Sequence, residues 1–198
     1  MRRHFFHLGV SAVKRRLLVA PAVAAAAAAL ATGSGAVAAG HFSGHGIAFD
    51  YPAGWYRLPP GATSASQGNL LWSVWIAPTT QRTTDLLILA SYRSLAAITA
   101  ANRARYQPLV TAAIRRLVAQ GGGSIRAGPT PTQMGGLPGY RFSITIKAAD
   151  GTPAFERLIL VWRGRTEYFL SCQYRAGGGR ASAILHACDQ VSSSFSAR

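Results

Sequence analysis

The stretch TEYFLSCQYRAGGGRASAILHACDQVSSSF, residues 166–195, contains one strand pattern followed by one helix pattern. In its first part, alternate residues are mostly apolar, which is typical of a strand with one buried face. After three consecutive glycines, apolar residues recur at helical spacing and form a single stripe. Cys172 therefore lies on the apolar face of the strand, and Cys188 lies in the apolar stripe of the helix expected to cover it.

The composition is that of one folded domain. Of the 198 residues, 49% are apolar and 14% are charged, which suits a packed core and not a disordered chain. Five of the 21 basic residues lie before residue 17, which leaves 16 against six acidic residues and a net charge of +10. These basic residues form no run typical of nucleic-acid binders, so we expect no nucleic acid as a partner.

The N-terminal segment has the pattern of a secretory signal peptide. It begins with a basic region, and Leu17–Ala31 is apolar but too short to span a bilayer readily. Ala36-Val37-Ala38 then matches a signal-peptidase site. We therefore predict a signal peptide over 1–38, with cleavage after Ala38 or Ala39.

The N-terminal sequence decides neither the export route nor whether the segment is cleaved, and it sets the domain boundaries. The adjacent arginines Arg2-Arg3 and Arg15-Arg16 only partly match the twin-arginine motif, so the export route is not decided. The alternative to cleavage is an uncleaved anchor. After cleavage, residues 39–45 would form a flexible N-terminus ahead of one domain over 46–198, in the periplasm or outside the cell, with no transmembrane segment in the mature chain.

We predict a disulfide between Cys172 and Cys188. They are the two cysteines of the chain, and cysteine pairs of exported proteins form disulfides in an oxidising compartment. A metal site that also used His186 is the alternative, but the spacing of common zinc sites is missing. The bridge would tie the C-terminal helix to the sheet.

The remaining chain predicts an antiparallel sheet and a second helical region. Gly164 is expected to turn one strand into the strand that contains Cys172. Helical spacing begins at Ser94, and Pro108 predicts a kink or a new helix. Further strands are predicted within six segments: 46–52, 69–77, 85–93, 124–130, 137–148 and 154–163.

A hydrolytic site has weak support. His186 and Asp189 lie three residues apart on the last helix and could pair, with one of Ser192–Ser194 as the nucleophile. A serine on the same helix, however, provides neither a nucleophile elbow nor an oxyanion hole. We assign no catalytic residue, and since no cofactor or metal motif is present, we expect neither group.

Three features remain as candidate binding sites. Arg115 and Arg116 with Arg180 could form a surface for an anion or a partner, the alternative being ordinary solvated side chains. Gly177–Arg180 precedes a helix and could hold an anion through free N–H groups, although a flexible turn is the simpler interpretation. His41 and His45 would share one face of a helix, but the adjoining Gly44 and Gly46 predict a loop there instead.

Three short motifs resemble one protein group. They are Phe49-x-Tyr51-Pro52-x-x-Trp55 near the start of the domain, Gly136-Leu137-Pro138-Gly139-Tyr140 before a long hairpin, and Ser194-Phe195 at the end of the last helix. In this order they resemble exported bacterial members of the PsbP/Mog1-like superfamily, over residues 41–198. The resemblance implies an α+β fold, an α-β-α sandwich in which helices flank an antiparallel sheet on both faces. It carries no catalytic or binding residue to this chain.

These observations predict an exported, non-enzymatic binding or accessory module of the cell envelope. Its partner is expected to be an envelope protein, an anionic envelope component or an apolar ligand. A hydrolase with an unmarked active site is the first alternative. An assembly factor for a membrane complex is the second.

Processing can be measured directly. The intact mass of the protein recovered from the periplasm or the medium should correspond to a chain that begins at Ala39 or Gly40, because the peptidase cuts after small residues. A chain that keeps Met1 and sediments with membranes would contradict the signal peptide.

Overall fold

The computed structural model describes residues 39–59, 69–81, 83–148 and 150–198. The predicted signal peptide and its cleavage position at Ala38 lie outside these residues. The described elements, in chain order, are β1 (Gly40–Gly44), β2 (Ile47–Tyr51), β3 (Tyr56–Leu58), β4 (Leu70–Ala77), β5 (Leu86–Ile98), α1 (Arg103–Gln120), β6 (Ser124–Met134), β7 (Leu137–Lys147), β8 (Pro153–Arg175), α2 (Ala181–Ser194) and β9 (Ser196–Ala197).

The described strands form two antiparallel sheets. The larger sheet has the strand order β3-β4-β5-β8-β7-β6, and the smaller has the order β1-β2-β9. In the larger sheet β8 is central, because β5 pairs with its C-terminal part and β7 pairs with its N-terminal part. The most hydrophobic strands therefore occupy the middle of the sheet, as burial on both faces requires.

β8 folds back on itself at Gly164. The N–H of Ala176 donates to the carbonyl of Pro153 at 3.1 Å, and the rings of Phe155 and Tyr174 lie 5.7 Å apart. A straight strand of 23 residues would separate its ends by about 75 Å. Gly164 has a φ of 62°, a conformation that short hairpin turns require and glycine adopts freely. The turn predicted at this glycine is confirmed.

One face of the larger sheet packs against α2 and the smaller sheet. We call residues 153–163 of β8 the first arm and residues 165–175 the second arm. Cys172 of the second arm and Cys188 of α2 form the predicted disulfide, with their Cα atoms 6.0 Å apart. This bridge ties α2 to the sheet at the centre of a core whose buried side chains include Phe49, Leu87, Leu89, Leu170, Ile184 and Val191.

The opposite face packs against α1, so helices flank the sheet on both faces as expected. Ile114 and Val118 are the buried residues of this helix. They pack on β7 and the first arm, mainly against Tyr140, Phe142, Ile144, Leu158 and Leu160. α1 packs over β6 and β7. Within the described residues, no helix covers β4, β5 and the second arm on this face.

The flexible N-terminus expected over 39–45 is a wrong prediction. Gly40–Gly44 forms β1, which pairs with β2 along its whole length. Phe42 is 4% exposed, and its ring stacks on Phe49 with the centroids 5.1 Å apart. The burial of this aromatic side chain outweighs the conformational freedom of the neighbouring glycines, which suggested a loop.

The helix expected to begin at Ser94 is also wrong. β5 continues to Ile98, and α1 begins at Arg103. The register of β5 against β8 shifts between Arg93 and Ile98, which marks a β-bulge. Leu95 and Ile98, whose spacing of three residues suggested a helix, do not share a buried face, since Leu95 is 67% exposed and Ile98 is 6% exposed. Pro108 lies inside α1 and does not divide it.

Removing the bridge in a C172A/C188A variant should lower the free energy of unfolding by about 3 kcal/mol, because a disulfide across 16 residues restricts the unfolded chain. For a domain of this size the melting temperature should fall by about 6 to 12 °C. Thermal unfolding followed by circular dichroism measures the change. The wild type in reductant should show the same decrease, and an unchanged melting temperature would contradict a stabilising bridge.

Candidate functional site: an open groove beside α1

The uncovered part of the larger sheet forms a groove beside α1. Its volume is about 360 Å³, and small-ligand sites typically span about 300 to 1,000 Å³. β4, β5 and the two arms of β8 form its floor, and the C-terminal end of α1 forms one wall. Most of its lining is apolar, including Leu70, Trp75, Ile88, Leu117, Leu158 and Phe169.

The alternation of β5 explains why this floor is apolar. Leu87 and Leu89 point into the core beneath α2, whereas Leu86 and Ile88 line the groove on the opposite face. Successive side chains of a strand point to opposite faces, so an uninterrupted apolar run supplies both surfaces. An apolar surface of this kind is ordinarily covered by a helix, and among the described residues it stays accessible from one side.

One carboxyl group lies in the floor of the groove. Glu156 of the first arm lines it and is 7% exposed. The Ser171 hydroxyl of the second arm hydrogen-bonds this carboxyl, and Gln173 Nε2 donates to Ser171 Oγ at 3.0 Å. Burial raises the pKa of Glu156 to about 7, and the bond from Ser171 offsets only part of this increase.

A second carboxyl group lies on the same face, toward the Gly164 turn. Glu167 is half-buried, and Trp162 Nε1 donates to its Oε2 at 3.0 Å. Burial raises the pKa of Glu167 to about 7. Burial and the nearby Glu167 raise the pKa of Tyr92, which lines the groove, to about 12. The phenol therefore stays neutral and can donate a hydrogen bond.

This arrangement suits binding of an amphipathic molecule. The apolar floor can contact a hydrocarbon or aromatic body, while the Glu156 carboxyl provides one polar partner. When neutral, the carboxyl can donate a hydrogen bond; when ionised, it can accept one or pair with a cation. With a pKa of about 7, both forms are present near neutral pH.

The structure does not assemble the catalytic triad considered from the sequence. His186 is exposed, and within the described residues no hydrogen bond joins it to Asp189 or to a serine. Asp189 pairs with Arg157 of the sheet. The hydroxyls of Ser192–Ser194 donate to main-chain carbonyls at 3.4, 3.0 and 2.7 Å.

The three arginines proposed as an anion or partner surface lie on two different helices. Arg115 and Arg116 are exposed on α1. Arg180 is exposed at the N-terminal cap of α2. Because α1 and α2 pack on opposite faces of the sheet, Arg180 is separated from the other two by the sheet. Of the three, only Arg115 and Arg116 lie next to each other.

The metal-binding alternative is excluded for the cysteines, since Cys172 and Cys188 are bonded to each other. In the part of the chain that the structure describes, no three His, Cys, Asp or Glu residues cluster as metal ligands. His41 Nδ1 lies 2.7 Å from Asp50 Oδ1, and the His45 ring stacks on Trp72. The two histidines therefore have separate partners.

The fold is that of PsbP. The solution structure of cyanobacterial PsbP (CyanoP) from Synechocystis sp. PCC 6803 is similar over 86% of this chain and 98% of that chain, with a TM-score of 0.53 and 17% identity. At this identity the likeness shows the fold alone. The PsbP/Mog1-like α+β fold expected from the sequence is confirmed.

Two other solved structures are similar at lower TM-scores. A crystal structure from Bacteroides thetaiotaomicron VPI-5482 matches 77% of this chain and 45% of that chain, with a TM-score of 0.48 and 14% identity. This chain therefore spans less than half of that protein. LpqN, involved in cell envelope biogenesis of Mycobacterium tuberculosis, matches over 80% of this chain and 88% of its own, with a TM-score of 0.47 and 11% identity. No family model and no curated protein sequence matches this chain.

Sequence reasoning missed the groove and its carboxyl group. The available signal was the alternation of the first arm, in which Glu156 shares its face with Ala154, Leu158, Leu160 and Trp162. An acidic residue in such an apolar series is a candidate buried carboxyl. The groove itself depends on where α1 ends relative to the sheet, which the pattern of one strand does not contain.

The stability of the protein should decrease as the pH rises from about 4.5 to about 7, because Glu156 is ionised in the unfolded chain but neutral in the fold over this interval. Glu156 should account for about 3 kcal/mol of the decrease. Urea unfolding at a series of pH values measures it. An E156Q variant, whose amide does not titrate, should show a smaller decrease; equal pH dependence in both proteins would contradict the buried carboxyl.

Proposed function

We propose that this protein is an exported, non-enzymatic accessory module of the cell envelope that holds a small amphipathic ligand in the groove. The observation that supports it is the groove itself: an apolar floor with one buried carboxyl group, Glu156, in its lining. A ligand with an amine or hydroxyl head and a hydrocarbon body fits this chemistry.

Location in the envelope is supported by two independent features. The N-terminal sequence predicts a cleaved signal peptide, and the Cys172–Cys188 disulfide is stable in an oxidising compartment. Among the described residues, neither helix is long and apolar enough to cross a membrane.

Ligand binding is better supported than hydrolysis. Asp189 is paired with Arg157, and the nearby serine hydroxyls donate to main-chain carbonyls, so the residues considered for hydrolysis have structural partners. In the groove, by contrast, Ser171 hydrogen-bonds the Glu156 carboxyl and Gln173 hydrogen-bonds Ser171. This arrangement holds the carboxyl in position as a binding group and includes no activated nucleophile.

The proposal is tested with N-phenyl-1-naphthylamine, a neutral probe that fluoresces in apolar sites. The wild type should bind the probe, and an S73W variant should lose binding because the indole fills the groove that Ser73 lines. S182W, which adds the same ring at an exposed position of α2, is the matched control. Equal probe binding by S73W and the wild type would refute the groove as the binding site.

Displacement of the probe tests the role of Glu156. At pH 8 dodecylamine should displace it at lower concentration than dodecanol or dodecanoate, because the ionised carboxyl pairs with an ammonium group. E156Q should reduce the advantage of the amine by about tenfold, the usual worth of a hydrogen bond to a charged group. An unchanged advantage of the amine in E156Q would assign the preference to another group.

A further inference from the structure

One end of the larger sheet carries a concentration of arginines. Arg163 and Arg165 flank Gly164 at the tip of the β8 hairpin, and both are exposed. Arg93 of β5 lies beside them, because it pairs with Thr166 of the second arm. Adjacent strands lie about 4.8 Å apart, so the backbones of these three arginines lie close together at this end of the sheet.

An exposed leucine lies among these arginines. The β5 bulge runs from Arg93 to Ile98, and Ile98 pairs with Gly164, so the bulge lies directly beside the hairpin tip. Leu95 within the bulge is 67% exposed. A β-bulge next to a sheet end commonly redirects a side chain outward. Here it presents an isolated large apolar group between basic ones.

The N-terminal end of α1 adds two more basic residues. Arg103 lies over the ring of Tyr140 at 5.3 Å, and Tyr140 in turn contacts Trp162, next to the hairpin tip. Arg105 is exposed two residues further along the helix. We define the arginine end by six residues of this region: Arg93, Leu95, Arg103, Arg105, Arg163 and Arg165.

The charge of the arginine end is not neutralised within the described residues. None of its five arginines takes part in an ion pair, whereas Arg157 and Arg175 elsewhere each contact an aspartate. The nearby acidic residue, Glu167, is half-buried and accepts a hydrogen bond from Trp162. A positive surface of this kind attracts a polyanion.

We propose that the arginine end docks on the surface of a membrane that contains anionic lipids. Guanidinium groups bind phosphate in two-pronged geometry. An exposed leucine between them can enter the boundary between head groups and acyl chains. The combination of both features favours a lipid surface over a soluble polyanion, which would use the arginines and leave Leu95 in water.

Docking at this end would also bring the groove to the lipid. Leu70 and Tyr92 line the groove, and Arg93 of the arginine end follows Tyr92 directly in β5. An amphipathic molecule leaving the lipid surface would thus reach the groove over a short distance. The docking proposal goes beyond the proposed function and does not depend on it.

Vesicle binding tests the docking. The purified exported chain should sediment with vesicles of phosphatidylglycerol and phosphatidylcholine in equal amounts, and not with vesicles of phosphatidylcholine alone. The R163Q/R165Q variant should bind about 25-fold more weakly, since each basic residue near the surface contributes about fivefold. R115Q/R116Q removes the same charge from the middle of α1 and should bind as the wild type does. R163K/R165K should retain binding, which separates loss of charge from a change in folding.

A second pair of variants tests insertion of the leucine. L95S should weaken binding by about tenfold, as expected for losing the burial of one leucine side chain. L109S is the matched control, because Leu109 is 66% exposed but lies on α1 outside the arginine end. All variants should keep the melting temperature of the wild type.

Three results would overturn the proposal. Equal losses in R163Q/R165Q and R115Q/R116Q would indicate diffuse charge attraction. Unchanged binding by L95S, with weakened binding by R163Q/R165Q, would indicate a polyanion site that does not need lipid. Equal sedimentation with neutral vesicles would exclude the arginines as the cause. The S73W variant should keep vesicle binding, so a failure of the groove proposal would not be mistaken for a failure of docking.

Discussion

The backbone hydrogen bonds that hold β8 between β5 and β7 are the constraint on which the rest of the structure depends. They fix the register of Cys172 opposite Leu87 and of Glu156 opposite Ile144. Because side chains alternate along each arm, this register decides which residues enter the core beneath α2 and which face α1. A slip by one residue would place Glu156 in the α2 core and Cys172 away from α2. The disulfide, the groove and the arginine end are therefore all set by one hairpin.

The groove follows from a mismatch in size between the sheet and its helices. α2 and the smaller sheet cover one face of the larger sheet, and they bury the side chains of β4, β5 and β8 there. On the other face α1 covers the part formed by β7 and the first arm. The strands β4 and β5 carry apolar side chains on both faces, as strands buried on both sides do. Within the described residues, however, only one face is covered by a helix. A ligand can supply the apolar contacts that a helix would otherwise provide.

The features that local pattern determines were predictable from the sequence. The disulfide followed from two apolar stripes with one cysteine each, and the hairpin turn followed from Gly164 between two alternating runs. The motifs around Phe49 and Gly139 indicated the PsbP/Mog1-like fold. Some of these positions have a visible packing role: a Cβ on Gly139 would lie 1.8 Å from the carbonyl oxygen of Leu160.

The features that depend on several elements at once were not predictable. The glycine-rich segment before residue 46 is a strand because it pairs with β2. The local sequence of this segment does not show that β2 will be its partner. The spacing of Leu95 and Ile98 at the end of β5 imitated a helix. The groove arises where the end of α1 meets the sheet, and its carboxyl group was not proposed because an acidic residue in a strand is usually exposed.

The pairing of β9 with β2 has a consequence for how the chain reaches this fold. Ser196 Oγ donates to the carbonyl of Ala48, 148 positions earlier in the sequence. Contacts between such distant residues form late, because the chain must first close a very large loop. During synthesis, Phe42 and Phe49 of the first hairpin thus lack the contacts of the last helix until it has been made. The first hairpin of this domain is therefore buried only when the C-terminal residues pack against it. Until then its apolar side chains are prone to aggregation, and a chaperone would act at this stage.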